Sequence, residues 1–232
     1  VVPLVAPIVT FSLLSPLCIF PMKAIEEKHE RLWARSQWGQ MVSDEFVTVL
    51  EEKRSAGLGS MESFTAALLF LDVAGFSEKS NRMSSQEIVE GLNRLLEPVV
   101  SLVGAHGGTV LNFIGDGVVA MFHKSDAQGS FQENALRAST AILLAVDDLK
   151  KEGGELWDVR IGMAVGDVSL ALVGSKDRKQ MTVYGSAVNM AARLEQAGKS
   201  LGTRLAVSVE FKESLGDYKN KFVLTKIQPK GW

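Results

Sequence analysis

Two aspartates close apolar runs in this chain. Asp72 follows Ala66-Ala-Leu-Leu-Phe-Leu71, and Asp116 sits in Gly115-Asp116-Gly117 after Val110-Leu-Asn-Phe-Ile114. If the two runs are adjacent antiparallel strands, both carboxylates reach one edge of a sheet. Two hard oxygen ligands, with room left for water and phosphates, suit Mg²⁺ or Mn²⁺. Each residue also has an ordinary reading. Asp-Gly is common in turns, and an Asp after a strand can cap a helix. It is the pair that points to a metal.

Two further stretches fit phosphate and sugar chemistry. Val73-Ala-Gly-Phe-Ser77 reads as a tight turn before a helix, and the backbone N–H groups around Gly75, Phe76 and Ser77 can hold phosphate oxygens. Glycine-containing turns before helices are widespread, so this signal is weak alone. In Thr182 to Glu195, Asn189 and Arg193 are four residues apart and share a helix face. An amide beside a guanidinium can hold a ribose and neutralise charge developing on phosphorus. The alternative is a solvated helix with Arg193 paired to a nearby acid.

The elements that must position these residues follow from periodicity. Ala66 to Val73 reads as a buried strand, and Thr109 to Ile114 and Val118 to Phe122 as a hairpin through Gly115-Asp116-Gly117. Gln86 to Val103, Asn134 to Leu149 and Val188 to Ala197 have helical spacing. Val159 to Val165, Val168 to Val173, Arg204 to Val207 and Phe222 to Thr225 read as further strands. The order β-α-β-β-α-β predicts an α+β fold: a ferredoxin-like, palm-type antiparallel sheet with its helices on one face.

The N-terminal quarter differs. Val1 to Met22 carries no charged residue. Twenty-two helical residues span roughly the 30 Å of a bilayer core, so residues 1–22 are expected to be a transmembrane segment at the end of a longer membrane region. A buried core helix or a signal-peptide core is the alternative. Residues 23–54 are charge-dense with helical periodicity and are expected to be juxtamembrane connector helices, broken near Gly39 to Ser43. Residues 55–63 read as a linker, and 64–232 as a mixed α and β domain.

Composition narrows the classes. Of 232 residues, 46% are hydrophobic, which excludes a disordered or collagen-like chain. A net charge of −2 argues against a protein that coats nucleic acid. The single cysteine, Cys18, permits neither a disulfide framework nor a thiolate cluster, and His29, His106 and His123 are too scattered for a convincing zinc site. The chain does not start with Met and ends at Lys230-Gly231-Trp232, so it reads as a fragment of a longer protein.

Four stretches taken together resemble the catalytic domain of the class III nucleotidyl cyclases. They are Leu69 to Ser77, Phe113 to Phe122, Arg160 to Gly166 and Val183 to Arg193, in the family's order and spacing across about Thr65 to Gly231. The resemblance implies that Asp72 and Asp116 hold two divalent cations per site, Mg²⁺ or Mn²⁺, with the Val73 carbonyl as a further ligand. It implies that Arg160 and Lys230 bind phosphates, that Asn189 orients the ribose, and that Arg193 stabilises the transition state. It also implies a head-to-tail homodimer with composite sites, attached to the inner or plasma membrane by the N-terminal segment, with the domain facing cytoplasmic ATP. The base-selecting positions would be Asn112 and Thr182. Asn112 departs from the usual Lys of adenylate cyclases and Glu of guanylate cyclases, and an amide can both donate and accept. The expected reaction is ATP to cyclic AMP and pyrophosphate. The alternatives are a guanylate or dual-specificity cyclase and a catalytically weak regulatory domain. A diguanylate cyclase would need a Gly-Gly-Asp/Glu-Glu-Phe stretch, which this chain lacks.

Overall fold

The computed structural model describes residues 63–123, 129–152, 157–174, 179–223 and 225. The expected membrane segment (1–22), connector (23–54) and linker (55–63) lie outside these residues except for Ser63, which begins a strand instead, and Lys230 lies outside them too. Among the described residues, no helix is long and apolar enough to cross a membrane.

The chain starts with β1 (Ser63–Ala74), the short helix α1 (Phe76–Ser80) and the long helix α2 (Ser85–Ala105). The hairpin β2 (Thr109–Ile114) and β3 (Gly117–Phe122) leads to α3 (Phe131–Lys151) and the long strand β4 (Asp158–Gly174). Then come β5 (Lys179–Tyr184), α4 (Ser186–Leu201), β6 (Leu205–Val207), the short α5 (Val209–Glu213) and a 3₁₀ turn at Gly216–Lys221. Both long helices start at a serine capping box. Ser84 and Ser130 accept from the Glu87 and Glu133 N–H groups, and the glutamates reach back to the caps.

The sheet order is β2-β3-β1-β4-β5, with β6 parallel to β4. Its first four members give the ferredoxin-like arrangement expected, with β1 central between β3 and β4. Alternation along β1 divides the molecule. Ala67, Leu69, Leu71 and Val73 enter one core with Leu95, Val99 and Val103 of α2 and Ala135, Ala138, Ile142 and Val146 of α3. That core removes these side chains from water and supplies the main stabilising term.

Four sequence expectations need correction. The helices do not share one face. Val159, Ile161 and Met163 belong to the core with α2 and α3. A Cβ on Gly162, between them, would point the other way, almost onto the Ala191 carbonyl of α4. Helix α4 therefore covers the opposite face, and only glycine lets it lie this close to β4. The two strands expected at 159–165 and 168–173 are one 17-residue strand. Strand β5 was not expected at all. Phe222 and Val223 are not in a strand: Phe222 caps the 3₁₀ turn.

Candidate active site

Asp72 and Arg160 are cross-strand partners in the β1–β4 ladder, so both side chains lie on the α4 face. Arg160 Nη2 donates to Asp72 Oδ2 at 3.2 Å, and Arg160 Nε donates to Glu195 Oε1 of α4 at 2.7 Å. One guanidinium thus joins a strand carboxylate to a helix carboxylate. Asp72 is half-buried and Glu195 is 3% exposed. Gly198, one turn beyond Glu195, lies close to the next loop: a Cβ there would lie 3.0 Å from the Thr203 carbonyl.

The β2–β3 turn brings Asp116 to this place. Gly115 takes a left-handed φ of 62° at the first position of the two-residue loop. Gly117 then passes so close to β1 that a Cβ would lie 2.9 Å from the Leu71 carbonyl and 3.6 Å from Asp72 Oδ1. A side chain at 117 would push the hairpin, and Asp116 with it, away from Asp72. Burial raises the Asp72 pKa above the usual aspartate value, and the Asp116 charge raises it further; Arg160 and the Val73 N–H oppose this without cancelling it. Glu195 is raised by burial first and then by the charge of Asp72, against the bond from Arg160.

Like-charged carboxylates held together against their own repulsion, all hard oxygen donors, fit a hard divalent cation. Among the described residues, no group of three or more His, Cys, Asp or Glu forms a metal cage. A cation on Asp72 and Asp116 would keep positions for water and substrate oxygens, as Mg²⁺ does.

The other expected residues fall in three places. Val73 is buried and follows Asp72 directly in β1. Gly75, with φ of 73°, opens α1, and Ser77 is exposed. Phe76 sets its ring edge-on to buried Trp157, with centroids 5.3 Å apart, which anchors this turn to the core. Asn112 lies exposed on β2 just after a register shift between Val110 and Asn112, a bulge that re-aims its side chain. Thr182 is on β5. These strands occupy opposite ends of the sheet order, yet their residues approach within 8 Å, Cα to Cα.

Asn189 is exposed and Arg193 half-buried on α4. At 3.6 residues per turn, Arg193 lies about 160° and Asn189 about 120° around the helix from Glu195. Helix α4 therefore turns Glu195 toward Asp72 of its own chain and turns Asn189 and Arg193 elsewhere. The structure brings Asp72, Asp116 and Arg160 together, and the turn of α4 sets Asn189 and Arg193 on a different helix face from Glu195. Glu195 was missed by sequence reasoning, although it stands on the buried stripe of Ala187, Ala191 and Leu194. An acid on an apolar stripe was the available signal.

The chain matches the adenylate and guanylate cyclase catalytic domain over residues 60–229. It is 33% identical over 144 residues to adenylate cyclase 1 of Rhizobium meliloti (strain 1021), covering 60% of this chain and 22% of that protein. The structure of a bacterial light-regulated adenylyl cyclase superposes with a TM-score of 0.62 at 28% identity, covering 67% of this chain and 81% of that one. The guanylyl cyclase Cya2 superposes with a TM-score of 0.60 at 27% identity, covering 74% and 88%. The chain spans about a third or less of the length of the curated relatives it matches. With the sheet, hairpin and carboxylate pair in place, the chain belongs to the family of adenylate and guanylate cyclase catalytic domains.

Proposed function

We propose that this domain is an adenylate cyclase, forming 3′,5′-cyclic AMP and pyrophosphate from ATP in a head-to-tail homodimer. In the reaction the ribose 3′ oxygen bonds to the α-phosphorus, the bond to the pyrophosphate oxygen breaks, and the 3′-hydroxyl proton is released. The observation that carries the reading is the junction of Asp72, Asp116 and Arg160 where β1, β4 and the β2–β3 turn meet.

Asp72 and Asp116, with the Val73 carbonyl, hold the divalent cations, Mg²⁺ or Mn²⁺. When bound, these lower the pKa of the 3′-hydroxyl and offset charge on the leaving pyrophosphate. Arg160 and Lys230, with the backbone at Gly75, Phe76 and Ser77, bind the triphosphate. Asn189 orients the ribose, and Arg193 stabilises charge on the five-coordinate phosphorus. The rotation of Asn189 and Arg193 away from Asp72 of the same chain supports their service in a partner's site. A two-fold dimer then has two equivalent composite sites.

Asn112 and Thr182 contact the base. An amide and a hydroxyl each donate and accept, so either fits adenine or guanine. The match to a relative named as an adenylate cyclase favours ATP. The likeness to a guanylyl cyclase supports GTP as the second reading. A mispaired buried polar group costs about 1–3 kcal/mol, roughly tenfold to a hundredfold in selectivity. We therefore expect measurable turnover of GTP beside ATP, and a sharper ATP preference in Asn112→Lys. Product formation from each nucleotide, with Mg²⁺ and with Mn²⁺, tests this. A wild type that already rejects GTP as fully as Asn112→Lys would remove Asn112 from the base pocket.

Residues 1–22 are proposed to anchor the protein in the inner or plasma membrane, with the domain in the cytoplasm. Recovery of the full chain in the soluble fraction without detergent would contradict that.

A further inference from the structure

Arg160 is held at two points, and the two differ. Its Nε bond to Glu195 is short, at 2.7 Å, and is made to a side chain that is only 4% exposed. Its Nη2 contact with Asp72 Oδ2 is longer, at 3.2 Å, and that carboxylate is 31% exposed. Asp72 Oδ2 faces Arg160, while Oδ1 lies toward Gly117 and the turn that carries Asp116. A guanidinium that had only Asp72 for an anion could turn its planar fork onto both oxygens of that carboxylate. It would then occupy the donor atoms that a divalent cation needs.

We propose that Glu195 is a positioning residue for the cation site: by gripping Arg160 through Nε, it limits the guanidinium to one oxygen of Asp72 and keeps the other, with Asp116, available to the cation. This inference rests on the assignment of Asp72 and Asp116 as the cation ligands. It gives Glu195 a role that packing does not explain, since a buried acid on an otherwise apolar stripe is costly unless paired. It also defines a path for Arg160, which can release Asp72 toward an incoming phosphate while remaining tied to α4 through Nε.

Mn²⁺ binding to the full chain, read from the electron paramagnetic resonance of the free ion without nucleotide, tests the proposal. Circular dichroism checks that each variant folds. Glu195→Gln is nearly isosteric and weakens the hold on Arg160. It should lower Mn²⁺ affinity about tenfold or more, the loss typical of residues that orient a metal's ligands. Adding Arg160→Gln to Glu195→Gln removes the competitor and should restore affinity to about the wild-type value. Arg160→Gln alone should tighten Mn²⁺ binding, which keeps the test decisive if Glu195→Gln does not fold. Unchanged affinity in folded Glu195→Gln would overturn the proposal. So would a double variant as weak as Glu195→Gln, or an Arg160→Gln variant no tighter than wild type. A wild type whose Mn²⁺ binding is not lost in Asp72→Asn would refute the cation site itself, and this inference with it.

Discussion

Two arginine-centred ionic clusters meet strand β4, and their charge balance differs. Near the start of the strand, Arg204 Nη1 bonds both Asp147 oxygens at 2.8 and 3.0 Å, and its Nε lies 2.8 Å from Asp158 Oδ1. Lys150 lies 3.0 Å from Asp158 Oδ2. Two acids face two bases. Burial alone would raise Asp158, but bonds from Lys150 and the Val159 N–H, with the charge of Arg204, outweigh it and hold the carboxyl below its usual range. Two residues further along, Arg160 pairs with both Asp72 and Glu195, the charge of Asp116 acts on both acids, and Asp72 and Glu195 are both raised. The first cluster is electrically closed and ties β4, β6 and α3 together. The second has raised acids beside one arginine, the pattern of a candidate cation site rather than of a closed structural network.

Removing single acids separates the two roles. Asp72→Ala or Asp116→Ala should lower cyclic nucleotide formation by roughly a hundredfold or more, because each deletes charge stabilisation at the reacting phosphate. Asp158→Asn should leave turnover nearly unchanged. It should lower the melting temperature by about 2 °C, a small value because this pair is partly exposed to solvent. Equal loss of turnover in Asp158→Asn and Asp72→Ala would erase the distinction.

The smallest effect concerns pH. Asp72 binds its proton more tightly in the folded chain than the ordinary aspartate does, so its contribution to stability falls as pH rises from the ordinary value through the raised one. Asp116→Asn removes a cause of that shift. With a chelator present, its melting temperature should exceed that of the wild type by a degree or two near neutrality, and the gap should close as the buffer is acidified. Thermal scans across that range check the sign. A gap that widens toward acid would mean that the carboxylates do not repel.

Some of this arrangement was legible in the residues, and the reasons differ by element. β1 and the hairpin could be read because their apolar runs end at Asp72 and at a Gly-Asp-Gly turn, both strong local signals. Strand β5 was missed because Met181 and Val183 alternate with Lys179, Gln180 and Thr182, too short and polar a run to stand out. The stripe Ala187, Ala191 and Leu194 announces that α4 packs, not onto which face of the sheet. That depended on Gly162, which reads as an ordinary strand glycine until α4 is seen lying against it. Glu195 was hidden for the same reason: its partner Arg160 is 35 residues away, and only the face assignment brings them together.

On the proposed homodimer, Asp72 with Asp116, and Asn189 with Arg193, act from different chains in one site. Mixing Asp72→Ala with Arg193→Ala tests this most directly, since each variant is expected to be inactive alone. A mixed dimer places both lesions in one site and leaves the other intact. Random pairing should then restore about a quarter of wild-type cyclic nucleotide formation. No recovery, with mixed dimers shown to form, would contradict the account and place the whole reaction within one chain.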